Sequence, residues 1–468
     1  MQIVCRHGLS ARARKSCLVR TATSIGLVQS LVVPMHIGKR IGIILVWVTG
    51  LVFVFAGVNN NDPYLVVLRG TGNLLLAITS VAVVFTLVRR DAWRRGRWAG
   101  KLLVVLWCLP PLAILTSHVT FELRKRSVLQ TEPARARSLG RHFIVGYSSF
   151  DEVARLAEQG LIAGIYVTRH NVAGRTAAAL KAEIAALQDR RRIAGLPPLI
   201  VAADQEGGIV SHLAPPLTAL PSLASLAELA PDEQRAKAEE FGRIHGREMA
   251  SLGVNLNFAP VLDLRPAARR NRFDFNTLIS QRAISDDPAK VSMIAAAYIH
   301  GLEASGVGAT VKHFPGLGRV RADTHHFSAD LDTPIGELEA TDWRPFREVL
   351  STSDARLMVG HVAVGALDPG RPASHSKAVI DGLIRKTWNY QGIVVTDDLV
   401  MGAIYQHDFC TAVVEALNAG VDLLLVAYDG AQFYRIFACA SNAANRDALD
   451  TGMLRDSEIR LKRTLEID

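Results

Sequence analysis

The chain has 468 residues, 53 Lys/Arg against 44 Asp/Glu, and room for one large domain or two ordinary ones. Residues 1–141 hold 20 Lys/Arg and 4 Asp/Glu while the rest holds 33 and 40, so the net charge of +9 belongs entirely to the N-terminal third. The remainder has no interleaved basic and aromatic stripe, which argues against nucleic acid as a partner, and no CxxC pair, which argues against a zinc or dithiol site.

Residues 1–40 form a basic segment with a weak apolar patch at Ile25–Val33, and Met35 is an alternative start. Three apolar stretches follow: Ile41–Val58, Thr71–Val88 and Leu102–Phe121. Each has the length of a helix that crosses a hydrocarbon core of about 30 Å. Pro110-Pro111 in the third is tolerated in a membrane helix. No small-residue cleavage site follows the first stretch before the next two, so a removed signal peptide is disfavoured. Lys/Arg residues crowd the N-terminal segment and the loop Arg89–Lys101, whereas Asn59–Tyr64 has none. That bias predicts a multi-pass protein of the inner, cytoplasmic membrane, in contact with lipid, with everything after Phe121 on the extracytoplasmic or periplasmic face. Arg124-Lys125-Arg126 opposes this weakly. The domains read as 1–40, a membrane module over 41–121, a linker over 122–141 and a C-terminal domain over 142–468.

Beyond His142, short β-branched runs alternate with amphipathic ones. Strands are predicted at Phe143–Tyr147, Gly164–Val167, Leu199–Asp204, Val254–Pro260, Ala309–Phe314, Arg356–Val362, Gly392–Asp397 and Val421–Val426. Helices are predicted between most of them, including Thr176–Arg192, Pro231–Leu252, Pro288–Ser305 and Thr411–Ala419. Eight strands in this alternation suit an α/β fold of the (β/α)8, TIM-barrel type, with a doubly wound sheet as the alternative. No GxGxxG follows the first strand, which disfavours the dinucleotide form of that sheet. Asp204, Lys312, His313, His361 and Asp397 all fall at or near C-terminal strand ends, where barrels build active sites. Cys410 and Cys439 read as two unlinked buried thiols that bridge only in an oxidising compartment.

Three segments carry chemistry: Asp204-Gln205-Glu206-Gly207-Gly208, Lys312-His313-Phe314-Pro315-Gly316 with the loop to His325, and Thr396-Asp397-Asp398-Leu399. With Asn255–Asp263, Met358–Val362 and Asn418–Asp422 they resemble, in order and spacing, the family 3 glycoside hydrolases, specifically the bacterial β-N-acetylglucosaminidase (β-hexosaminidase) branch. The resemblance runs from about Phe143 to Asp468.

It implies that Asp397 is the nucleophile of a retaining glycosidase, forming a covalent glycosyl-enzyme. Asp398, next along a strand, points to the other face and serves as a supporting residue. His325 aligns with the branch's acid/base on the loop after strand five, held by Asp323 in the manner of a triad's His–Asp pair, with His326 as the competing candidate. Sugar binding falls to Asp204, Arg282, Lys312 and His313. Lys312 and His313 face opposite ways on a regular strand, so a bulge or a cis bond is needed to aim both inward. The chain departs from the family at Leu317-Gly318-Arg319-Val320, at Ile209 where Arg commonly follows Glu-Gly-Gly, and at His212 where a second Arg is usual.

The expected activity is therefore exo-hydrolysis of terminal β-linked N-acetylhexosamine from peptidoglycan-type glycans, with no metal and no organic cofactor. A β-glucosidase of the same family is an alternative. That branch takes its acid/base from a second domain, for which the sequence after Asp468 leaves no room. A non-catalytic membrane glycan sensor is the other alternative, prompted by the altered loop.

Overall fold

The structure is a computed structural model that describes residues 35–89, 98–266, 277–320, 323–324, 326–405 and 408–465. The chain divides into two compact units, 1–117 and 118–468.

The first unit is built on three helices, α1 (Met35–Val58), α2 (Thr71–Arg89) and α3 (Trp98–Leu129), each long and apolar enough to cross a membrane. Pro110 and Pro111 lie inside α3, which continues through them. Leu103, Leu106 and Trp107 pack with Trp47, Phe53 and Val84 into a small core. Gly57 brings α1 close to the backbone at Pro110, since a Cβ there would lie 3.1 Å from its carbonyl oxygen. Most remaining apolar side chains point outward, among them Ile43, Leu75, Phe85 and Leu115. Such all-round apolarity suits a hydrocarbon surrounding, because in water it would expose a large contiguous apolar surface.

The second unit is an eight-stranded parallel barrel. Its strands are β1 (Phe143–Gly146), β2 (Gly164–Val167), β3 (Ile200–Ala203), β4 (Leu256–Asn257), β5 (Gly308–Phe314), β6 (Arg356–Val359), β7 (Val394–Thr396) and β8 (Leu424–Val426). They pair in sequence order, and β1 pairs with β8. A bridge between Val395 and Leu423 closes the ring between β7 and β8. The predicted barrel is thus the observed fold, and the open doubly wound alternative is not. The predicted β4 was longer than the two residues that pair regularly.

Strand parity sets the two cores. Ile144, Tyr166, Ile200, Ala202, Leu256, Phe258, Met358, Ile393, Val395 and Leu425 form the inner one, while Val145, Val201, Ala203 and Val394 join the outer one under the helices. The alternation decides where the polar residues beyond the strands go. Asp204 extends the inner series 200, 202, and Asp397 extends 393, 395.

Outside the barrel, α4 (Pro231–Leu252) and α5 (Pro288–Glu303) pack closely, with Gly242 and Gly301 at their crossing. Cys410 and Cys439, on helices Phe409–Ala419 and Phe433–Asn445, form a disulfide with their Cα atoms 5.0 Å apart. This corrects the reading of two unlinked thiols. Helix packing brings residues 29 apart in sequence within bridging distance, and nothing local in the sequence encodes that.

Candidate active site

The run after β3 carries the most charge. Gln205–Gly207 pairs antiparallel with Val210–Ser211, and the turn between them needs Gly207 and Gly208 at positive φ (91° and 65°). A Cβ on Gly207 would lie 2.3 Å from the Pro221 carbonyl oxygen, so no other residue fits. The Asn257 side chain takes the place of a missing strand: its Oδ1 accepts from Gln205 N at 3.0 Å and its Nδ2 donates to Gln205 O at 2.9 Å. Gln205 is thereby fixed, and Asp204 and Glu206, two residues apart, share one face.

Lys312 Nζ bridges these two carboxylates, in contact with Asp204 Oδ1 and 2.6 Å from Glu206 Oε1. Arg282 closes on Glu206 in a fork, with Nε 3.0 Å from Oε2 and one Nη 2.6 Å from Oε1. The same Nη lies 3.3 Å from His313 Nε2. On its other side, His313 Nδ1 lies 2.7 Å from Asp263 Oδ2. With Asp263 accepting, His313 carries its proton on Nδ1 and receives the arginine at Nε2. Burial alone would raise the Asp204 and Glu206 carboxyls, yet the cations hold both below their usual range, Lys312 chiefly for Asp204 and Arg282 for Glu206. Burial likewise disfavours the Lys312 ammonium, but Asp204 and Glu206 raise it above its ordinary value. All four side chains are therefore ionised at neutral pH.

The sequence predicted that Lys312 and His313 needed a bulge or a cis bond to reach one site. The structure has both: the Lys312–His313 peptide is cis and the β5–β6 register shifts between Val311 and Phe314. Through Arg282 and Glu206, the two side chains join one hydrogen-bonded cluster. Four predicted sugar-binding residues, Asp204, Arg282, Lys312 and His313, thus come together. Glu206 and Asp263 were not assigned roles from sequence. Period-two parity with Asp204 was the available signal for Glu206; for Asp263 there was none beyond its motif.

The end of β7 is organised differently. Asp397 is half-buried at the inner rim, its N–H donating to Val359 O at 2.9 Å. Its Oδ1 accepts from Asp398 N at 2.8 Å. Asp398 is buried, and its carboxylate accepts from the amides of Val400, Ala427 and Tyr428 at 3.1, 2.9 and 2.8 Å. Burial pushes its pKa up to about 6 despite those donors. His361, one of the five strand-end polar residues, turns toward Ser374 Oγ (2.7 Å) and the Asp398 carbonyl oxygen (2.9 Å), bracing the rear of β7.

On the strand-five loop, Asp323 is buried and its Oδ1 accepts from Thr277 Oγ1 at 3.0 Å. The amides of His326 and Phe327 cap its carbonyl oxygen at 3.0 and 2.9 Å. His325 lies outside the described residues. The departing run before it packs back on the barrel: Leu317 N donates to Asp263 Oδ1 at 2.7 Å, and Arg319 pairs with Asp342 and Glu337 at 2.7 and 2.6 Å. No cluster of three His, Cys, Asp or Glu suited to a metal occurs among the described residues. A cavity of about 1030 Å³ opens at the other end of the barrel beside Gly308, Arg356 and Ile393, and none of the candidate residues lines it.

A barrel whose strand ends gather carboxylates around a pocket of fixed cations is the setting of a glycoside hydrolase. The glycosyl hydrolase family 3 N-terminal domain matches residues 138–462, and the chain belongs to that family. It is similar to a β-hexosaminidase of Idiomarina loihiensis, 34% identical over 242 residues that make up 51% of this chain and 70% of the relative. Among solved structures it is similar to a family 3 β-N-acetylglucosaminidase from Paenibacillus sp. str. FPU-7 (30% identity, TM-score 0.64, 70% of this chain and 61% of that longer one). It is also similar to a family 3 glycosyl hydrolase of Mycobacterium smegmatis str. MC2 155 (31% identity, TM-score 0.62, 71% and 97%).

Proposed function

We propose that this family 3 hydrolase is a retaining, exo-acting β-N-acetylglucosaminidase, held in the membrane by α1–α3 and acting on peptidoglycan-type glycans outside the cytoplasm. The observation that carries the reading is strand parity: Asp397 and Asp204 both extend the inner-face series of their strands, so the nucleophile and the sugar-binding cluster open into one barrel mouth. The relatives' β-hexosaminidase and β-N-acetylglucosaminidase names supply the sugar class.

In this mechanism a carboxylate oxygen of Asp397 attacks the anomeric carbon as the bond to the leaving oxygen breaks. His325 gives its proton to that oxygen, then takes one from the water that releases the sugar from Asp397. Asp323, fixed by Thr277, steadies the imidazolium that enters the first step and is restored by the second. The Asp398 N–H on Asp397 Oδ1 holds the attacking carboxylate in place. Asp204, Lys312, Arg282 and His313 hold the sugar hydroxyls by charge-assisted hydrogen bonds.

The outward orientation rests on the Lys/Arg bias of the N-terminal third, and the Cys410–Cys439 disulfide agrees with an oxidising compartment. A reporter fused after Asp468 should behave as extracytoplasmic; a cytoplasmic signal sinks that part of the proposal. For the chemistry, the purified protein is assayed on nitrophenyl β-N-acetylglucosaminide and β-glucoside. Turnover of the glucoside alone refutes the proposed sugar, while binding of N-acetylglucosamine without any turnover favours a glycan sensor. His325→Ala should lose most on poor leaving groups, and silence there would refute the acid/base assignment.

A further inference from the structure

Tyr166 stands on the inner wall at β2, buried and stacked on Phe258 with ring centres 5.8 Å apart and planes 21° from parallel. Its hydroxyl touches Asp204 Oδ2 and lies 3.1 Å from His212 Nδ1. A phenol has one proton to give. Asp204 is ionised against Lys312 and is the nearer acceptor, so it takes that proton. The tyrosine oxygen then has only lone pairs to offer, and His212 must carry its ring proton on Nδ1. Burial lowers the His212 pKa, with the neighbouring Asp204 working against it, so the ring is neutral at neutral pH. A neutral imidazole protonated on Nδ1 leaves Nε2 as a bare acceptor. His212 stays partly exposed, and Nε2 has no hydrogen-bond partner among the described residues.

We propose that His212 Nε2 accepts a hydrogen bond from a substrate hydroxyl and so determines which sugars the pocket admits; this rests on the N-acetylglucosaminidase reading. The family resemblance puts an arginine at this position. A guanidinium only donates, and it can donate to a hydroxyl, an ether or a carboxylate oxygen. The His212 ring, locked by Tyr166, demands a donor. Substitution of Arg by His therefore reverses the polarity of the contact, from tolerance of an alkylated oxygen to a requirement for a free O–H. A bound sugar lacking that proton displaces water from Nε2 and leaves its lone pair without a partner.

The test measures binding of N-acetylglucosamine and its 3-, 4- and 6-deoxy and O-methyl forms to the full-length protein by calorimetry. For the wild type, deoxygenation and O-methylation at one position should each weaken binding about 10-fold or more. In His212→Ala, deoxygenation at that position should cost less than about 2-fold. His212→Arg should accept the O-methyl form that the wild type rejects. Tyr166→Phe, which frees the tautomer, should relax the discrimination part of the way, and it serves if His212→Ala fails to fold. Deoxygenation costs that are the same in wild type and variants overturn the role of His212 alone. A wild type that binds no form of N-acetylglucosamine overturns the N-acetylglucosaminidase reading and this inference with it.

Discussion

At the ends of β3 and β5, the half-buried Asp204 and the buried Glu206 sit against the cations Lys312 and Arg282; at the end of β7, Asp398 is buried against three backbone N–H groups. Both arrangements satisfy their oxygens, but only the first supplies whole charges. The carboxyls there are driven below their ordinary range, while Asp398 is driven above it. At Asp398 three amides do not offset the loss of water and the neighbouring Asp397 charge, whereas at Asp204 and Glu206 the ammonium and guanidinium outweigh burial. One side of the mouth is a fixed ionic lattice suited to gripping hydroxyls. The other leaves Asp397 half-buried with the Asp398 amide on its Oδ1, which suits the nucleophile role proposed for it.

The largest expected effect lies on the open side. Asp397→Ala should lower kcat on nitrophenyl β-N-acetylglucosaminide by about 10⁴-fold or more, since the nucleophile has no substitute. Retention of a tenth of the activity would break the assignment. On the ionic side, Lys312→Ala leaves Asp204 without its cation and the buried Glu206 with Arg282 alone. Chemical denaturation should show a loss of about 3–5 kcal/mol, far more than a surface lysine costs. A change below about 1 kcal/mol would mean that the lattice is not a buried ionic one.

The third prediction separates the two sides by pH. Asp398, with its pKa near 6 when folded against about 3.9 in an unfolded chain, binds more protons folded than unfolded between those values. Stability should therefore fall as pH rises through that window, by on the order of 3 kcal/mol in all. Asp204 and Glu206 are depressed, so their contribution is present above the ordinary carboxylate range and is lost as pH falls below it. Denaturation midpoints at pH 3, 5 and 7 should peak near pH 5. In Asp398→Asn the slope between pH 5 and 7 should flatten while the acid loss remains; an unchanged slope would remove Asp398 as its source. The smallest effect concerns the loop. Thr277→Val removes one neutral-to-charged hydrogen bond from Asp323 and should cost about 1–2 kcal/mol of transition-state stabilisation on poor leaving groups, and little on good ones. Equal losses on both would show that Thr277 acts on the fold and not on the acid step.

Sequence and structure divide this site along physical lines. The period of the strands, the apolar length of three helices and the placement of Asp204 and Asp397 at strand ends were legible because each is a local pattern with a fixed repeat. The same parity that placed Asp397 inward also turned Asp398 away from it, as read from sequence. Three things were not decided by such a pattern. Whether Lys312 and His313 share a site depended on the backbone between them. Glu206 and Asp263 became part of the cluster only when Arg282 and His313 arrived from other strands and loops. Cys410 and Cys439 became a disulfide only when two helices packed. The Tyr166–Asp204–His212 contact is of the same kind, drawing on β2 and the two sides of one hairpin. Periodicity in a chain fixes which way a side chain faces, because facing is set by the dihedral repeat of its own segment. Which side chain it meets, and hence its charge and its proton, is set by distances between segments far apart in sequence, and those exist only once the barrel has closed.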